Sequence, residues 1–161
     1  MSAPTAYERH DHHRCIDDAL LAARRVCKHN GARLTSLREQ VLTKLWQSHR
    51  PLGAYAILEL LAADGQGHPA PPTVYRALDF LQENGLVHRL ASLNAYIGCE
   101  APDRPHDSQF LICQHCQITV EVASEQVSQA LRACADRRDF AIRHSSVEIV
   151  GDCPNCQRGG A

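Results

Sequence analysis

Residues 71–98, PPTVYRALDFLQENGLVHRLASLNAYIG, decide how this chain folds. Pro71-Pro72 opens a helix, because proline in the first turn gives up no amide that the helix would use. Val74, Leu78 and Leu81 fall on one face of that helix, and Asn84-Gly85 stops it. Residues 86–90 and 95–98 then read as two short strands joined around Ser92-Leu93-Asn94.

Upstream, the spacing of Ile16, Leu20, Ala23 and Cys27 predicts a helix that ends near Asn30-Gly31. Cys27 lies on its apolar stripe and reads as a core thiol. Ser36 followed by Glu39 has the form of a capping box ahead of Val41, Leu42, Leu45 and Trp46. That second helix runs to about Ser48, and Pro51-Leu52-Gly53 is a turn. Residues 54–64 read as a third helix carrying Ile57, Leu58 and Leu61, broken by Gly65-Gln66-Gly67. Helices followed directly by a hairpin are the plan of a winged helix-turn-helix, here expected over residues 15–98. Residues 1–14 read as a mobile tail whose His10, His12 and His13 are solvent-exposed, with incidental metal binding the lesser alternative.

The composition changes at Ala101-Pro102-Asp103-Arg104-Pro105, so residues 99–106 are expected to be a hinge and 107–157 a second unit. Residues 109–112 and 118–122 read as strands, and 124–138 as a helix with Val127, Leu131 and Cys134 at helical spacing. Residues 140–150 alternate apolar and polar (Phe140, Ile142, then Val147, Ile149) like a half-buried strand; 158–161 are left as a tail. Two Cys-x-x-Cys pairs, Cys113–Cys116 and Cys153–Cys156, bracket this unit. Each pair aims two sulfurs from one tight turn, and four thiolates suit tetrahedral zinc in a closed structural site. The fold class is therefore α+β, a winged-helix domain plus a small C-terminal α/β domain stapled by zinc. So small a unit with an exposed sheet edge invites a second copy, and a homodimer is expected.

With 161 residues, 44% hydrophobic and 5% aromatic, the chain fits one domain or two small ones with an aliphatic core. Its apolar stretches are short and interrupted by charge, which fits no transmembrane helix. The polar first residues lack the apolar segment of an export signal, so a cytoplasmic protein is expected. Eight cysteines in a reducing compartment favour metal ligands and free thiols over the alternative of four disulfides. Two knuckles rather than one also favour zinc over a thioredoxin-like redox pair.

A formal net charge of −1 does not announce a nucleic-acid binder, so the argument for one is local. Thr73, Tyr75, Arg76 and Asp79 lie away from the Val74/Leu78/Leu81 stripe near the helix start. In a helix-turn-helix this part of the second helix enters the major groove. There Arg76 can fork onto a guanine, Tyr75 can touch a thymine methyl or a phosphate, and Thr73 a phosphate. The alternative is a merely solvated helix face.

Several of these residues together resemble the ferric uptake regulator family. They are Arg33-Leu34-Thr35-x-x-Arg38-x-x-Val41-Leu42, Pro72-Thr73-Val74-Tyr75-Arg76-x-Leu78, Leu81-x-x-x-Gly85-Leu86-Val87 and the two Cys-x-x-Cys pairs. The likeness spans roughly residues 16–157. It implies a homodimeric, metal-responsive transcription factor, and strengthens Tyr75 and Arg76 as contacts to double-stranded operator DNA. Within the family the chain resembles the zinc uptake regulator branch. Pro105-His106-Asp107-Ser108 holds one histidine where iron sensors carry a richer run, and Cys99 stands where zinc sensors place a regulatory cysteine.

By that resemblance the regulatory zinc ligands are His88, Cys99, His106 and Glu121, making two zinc ions per subunit with the structural one. The set is also chemically coherent, since imidazole, thiolate and carboxylate donors suit a borderline-soft ion and disfavour iron(II) or manganese(II). The implied function is a zinc-sensing repressor of zinc-uptake genes, with another metal in the same family as the alternative. A zinc hydrolase would need an open coordination position and a general base, and no His-Glu-x-x-His pattern or nucleophile motif is present. No enzyme activity, small-molecule substrate or membrane partner is expected, and a thiol redox switch is the weaker rival.

Overall fold

The computed structural model describes residue 7 and residues 11–65 and 67–159. They form two compact units divided after Arg104. The first contains α1 (His12–His29), α2 (Ser36–Trp46), α3 (Ala54–Ala63), α4 (Pro71–Glu83) and the strands β1 (Val87–Leu90) and β2 (Ala95–Gly98). The strands pair antiparallel from Val87↔Gly98 to Leu90↔Ala95. The winged helix-turn-helix order is thus present.

Two local expectations need correction. Helix α1 begins at His12, inside the stretch read as a tail, because the Asp11 carboxylate accepts the His13 amide at 2.9 Å and caps it. His12, expected to be exposed, is half-buried, while His13 is exposed; residues 1–6 and 8–10 of that stretch, His10 included, lie outside the described residues, as do residues 160–161. At α2 the N-cap is Thr35 rather than Ser36, and no side chain caps it. The Ser36 hydroxyl instead accepts from Gln40 Nε2 at 3.2 Å, and Glu39 takes the Arg24 guanidinium of α1 at 3.0 Å.

One apolar core joins the four helices to the hairpin. Leu42, Leu45, Ile57, Leu78 and Leu81 are fully buried, with Cys27 among them as the expected core thiol. Each such leucine or isoleucine contributes about 1.5–3 kcal/mol by leaving water. The turn after α2 is sewn to the hairpin, since Leu52 and Tyr96 exchange both backbone hydrogen bonds at 2.9 Å. Lys44, nearly buried on α2, reaches Asp64 at the end of α3 at 2.6 Å. Its ammonium leaves the core only at that exposed carboxylate.

The second unit holds β3 (Ser108–Cys113), β4 (Thr119–Val122), α5 (Glu125–Asp136), β5 (Ser146–Gly151) and the short α6 (Pro154–Gln157). The sheet order is β4-β3-β5, with β4 antiparallel and β5 parallel to the central strand. β4 brings the chain back to the start of β3, and α5 with the segment after it carries it past the central strand to the far edge, where β5 begins opposite Ser108. The strand expected over 140–150 therefore starts only at Ser146. Asp139 takes a left-handed φ of 53° and the Phe140 amide bonds back to Ala135, so residues 140–145 cap the helix and carry the chain across. The apolar alternation there was misleading: Phe140 is 65% exposed.

Buried polar groups fix α5 on the sheet. Gln109, on the central strand, donates to the Ser124 carbonyl at 3.0 Å and to the Ser128 hydroxyl at 3.2 Å. Its Oε1 accepts the Ser124 amide at 3.2 Å. Ser124 itself caps α5 by accepting the Val127 amide.

Candidate metal centres and nucleic-acid face

The parallel pairing of β3 with β5 ends at Cys113↔Gly151, which brings both Cys-x-x-Cys turns to one end of the sheet. The Gln117 amide closes the first turn onto Cys113, with Gln117 at a left-handed φ of 60°. In the second, Cys153 is the N-cap of α6 and its sulfur accepts the Cys156 amide at 3.5 Å. The Gln114 amide reaches Gly151 at 2.8 Å and its side chain reaches Asp152 at 2.8 Å, which locks one turn to the other.

The four sulfurs of Cys113, Cys116, Cys153 and Cys156 all lie within 4.8 Å of one another, with Cys116 and Cys153 at 3.7 Å. None is in a disulfide. Four thiolates about 2.3 Å from one tetrahedral ion stand roughly 3.8 Å apart, so the cluster fits zinc. The backbone prepares for it. The Cys113 thiol is held down at about 6, first by the backbone N–H of Cys116 and then by that of Cys153. Cys156 is pushed up to about 12, chiefly by its hydrogen bond to the Cys153 sulfur, and Cys116 is raised by burial. One anion is thus stabilised in advance and further ones are opposed, a balance that suits a dication.

The residues expected to bind a regulatory ion occur as a pair in each unit. In the first unit, His88 is half-buried on β1 and Cys99 follows β2 directly, 3% exposed. A His88 ring nitrogen and Cys99 Sγ lie within 4.8 Å of each other, and the Cys99 amide bonds to the Leu86 carbonyl at 3.0 Å. In the second unit, His106 Nε2 and a Glu121 carboxylate oxygen lie 2.7 Å apart, both half-buried. Each pair offers a nitrogen with a sulfur or an oxygen, the donor types zinc accepts.

On α4, Val74, Ala77, Leu78 and Leu81 are buried while Thr73, Tyr75, Arg76 and Asp79 face solvent. The helix therefore presents the expected face. On α2, the Arg38 guanidinium sits 3.5 Å from the centre of the Phe80 ring and donates to the Arg33 carbonyl.

Sequence reasoning missed three features. Gln109 looked like one more strand residue, though a glutamine inside an apolar strand is itself a sign of a buried polar clamp. Trp46 packs so closely on Gly98 that no side chain fits there. His12, Cys15 and His49 bring their ligand atoms within 4.8 Å of one another in the first unit. The i, i+3 spacing of His12 and Cys15 was visible; the approach of His49 was not.

The sequence model of the ferric uptake regulator family matches residues 29–150. The zinc uptake regulation protein of Escherichia coli is 37% identical over 140 residues, covering 86% of this chain and 81% of its own length. The ferric uptake regulation protein of Legionella pneumophila is 31% identical over 131 residues, covering 81% and 95%. A solved structure of a zinc uptake regulator complexed with zinc and DNA is similar with a TM-score of 0.82 at 37% identity, covering 89% of this chain and 96% of that one. With this architecture, these knuckles and these matches, the chain belongs to the ferric uptake regulator family.

Proposed function

We propose that this protein is a zinc-sensing transcriptional regulator, mainly a repressor of zinc-uptake genes, which binds operator DNA as a zinc-loaded homodimer in the cytoplasm. Likeness to a zinc uptake regulation protein at 37% identity, and to a zinc uptake regulator complexed with zinc and DNA, supports this. Such a protein is a regulator and not an enzyme. No helix of the described residues is long and apolar enough to cross a membrane.

The observation that carries the reading is the division of four donors into two pairs. His88 and Cys99 are held on the hairpin of the first unit, and His106 and Glu121 face each other at 2.7 Å in the second. A zinc ion bound to all four supplies a reversible cross-link between the units. His88 and Cys99 then hold the DNA-reading unit, and His106 and Glu121 exchange their mutual hydrogen bond for the ion. The Cys99 thiolate sets the preference for zinc over harder dications. Cys113, Cys116, Cys153 and Cys156 keep a second ion as a permanent staple of the second unit.

Fixing the two reading units of a dimer lets each Arg76 address successive half-sites about 34–36 Å, or a multiple, apart. The ligand shifts this equilibrium only as far as it prefers the fixed arrangement. Tenfold tighter DNA binding needs about 1.4 kcal/mol of coupling, and a thousandfold about 4. The exposed β5 residues Ile149 and Val150, with Phe140, offer the apolar surface for the second copy.

The test separates sensor from staple. Cys99→Ser is expected to leave fold and dimer intact while weakening zinc-dependent DNA binding tenfold or more, by about 1.4 kcal/mol. Cys113→Ser is expected to damage folding of the second unit or weaken the dimer, because the binding free energy of the structural ion is lost. Equal collapse of both variants, seen by circular dichroism and sedimentation, would refute the assignment of separate roles.

A further inference from the structure

We infer that His12, Cys15 and His49 form a third metal site, within the first unit, for one borderline-soft dication of the zinc class. His12 and Cys15 stand three residues apart in the first turns of α1 and so share one helix face. His49 comes from the bend between α2 and α3. All three are half-buried, whereas neighbouring His13 and Arg14 point to solvent. The site is thus selected by packing, not by a run of histidines.

The geometry is that of ligands. The three donor atoms lie within 4.8 Å of one another, and a tetrahedral ion with Zn–N near 2.0–2.1 Å and Zn–S near 2.3 Å needs separations of about 3.3–3.6 Å. Small side-chain rotations cover that difference. The His12 and His49 rings are 5.3 Å apart between centroids and tilted by 48°, so they are not stacked. Two imidazoles on one tetrahedral ion place their centroids about 5 Å apart. Two nitrogens and one sulfur suit zinc, or cobalt(II) as its spectroscopic substitute, and do not suit magnesium or calcium.

On binding, the Cys15 thiol releases its proton to solvent as the sulfur–metal bond forms, and both imidazoles coordinate in the neutral form. Three protein ligands leave a fourth position to water, unlike the closed four-cysteine site. The ion would tie the start of α1 to the segment that leads through Leu52 into the backbone bonds with Tyr96 on β2. Its effect would therefore be felt in the first unit alone. None of this depends on the regulator reading.

The experiment uses the full chain with its four-cysteine zinc retained, and follows alkylation of Cys15 by mass spectrometry as free zinc is raised. Zinc is expected to slow Cys15 modification at least about tenfold, since a coordinated sulfur is withdrawn as a nucleophile. Magnesium should leave the rate unchanged, and exposed Cys134 should react at the same rate throughout. Cobalt(II) should develop thiolate charge-transfer absorption that Cys15→Ser lacks. His49→Ala should lose the protection. An unchanged Cys15 rate in the unmodified chain overturns the proposal without recourse to any variant. Full protection persisting in His49→Ala, or equal slowing of Cys134, also overturns it.

Discussion

The indole of Trp46 occupies the space a side chain would need at Gly98: an added Cβ would lie 2.2 Å from the ring nitrogen. That contact joins the end of α2 to the end of the hairpin, one residue before Cys99. Gly98→Ala must displace the indole or the strand. It should cost about 1–3 kcal/mol of stability in thermal or denaturant unfolding, as overpacked cores do. Because the displaced strand carries Cys99, zinc-dependent DNA binding should weaken beyond what the lost stability explains.

Gln109 makes a different kind of joint. Its amide satisfies both the backbone and the hydroxyl groups that begin α5. Gln109→Leu keeps the apolar bulk but leaves buried donors and acceptors unpaired, at about 1–3 kcal/mol. Denaturant unfolding should show this loss, and amide exchange should show α5 opening first.

The knuckle cysteines give a pH prediction with a definite sign. Without metal, Cys113 should become a thiolate as pH rises through about 6, whereas Cys156 should stay a thiol until about 12. The amides of Cys116 and Cys153 favour the Cys113 thiolate only in the folded unit. The stabilisation from this depressed thiol is complete above the ordinary thiol range and is lost as pH falls through about 6. Thermal melts of the metal-free chain between pH 9 and 5 should show a decline toward acid. The decline should vanish in Cys113→Ala.

Arg76 is exposed on the face of α4 opposite the core. Arg76→Ala should reduce discrimination between operator and unrelated duplex by about 1–3 kcal/mol. Non-specific binding should fall much less, and helix content should not change. Competition binding at fixed salt measures the difference.

How much of this was legible in the sequence depended on range. The α4 helix and hairpin were readable because proline, the Val74/Leu78/Leu81 stripe and Asn84-Gly85 are local signals. The two knuckles were readable because the spacing of cysteines is itself the geometry. Residues 140–145 were misread because alternation does not distinguish a strand from a crossover whose side chains face outward. The capping box at Ser36 failed because Glu39 found Arg24, a partner fifteen residues away that no local pattern reports. His49 joining His12 and Cys15, and Trp46 closing over Gly98, are likewise products of tertiary packing.

The proposed function requires that zinc held by His88, Cys99, His106 and Glu121 control the grip on DNA. The most direct measurement is operator affinity at two free-zinc levels, with the four-cysteine site filled at both and salt held constant. Loading the sensor should tighten binding at least about tenfold, and operator DNA should raise zinc affinity by the same factor. Equal affinity with the sensor empty and loaded would contradict the account.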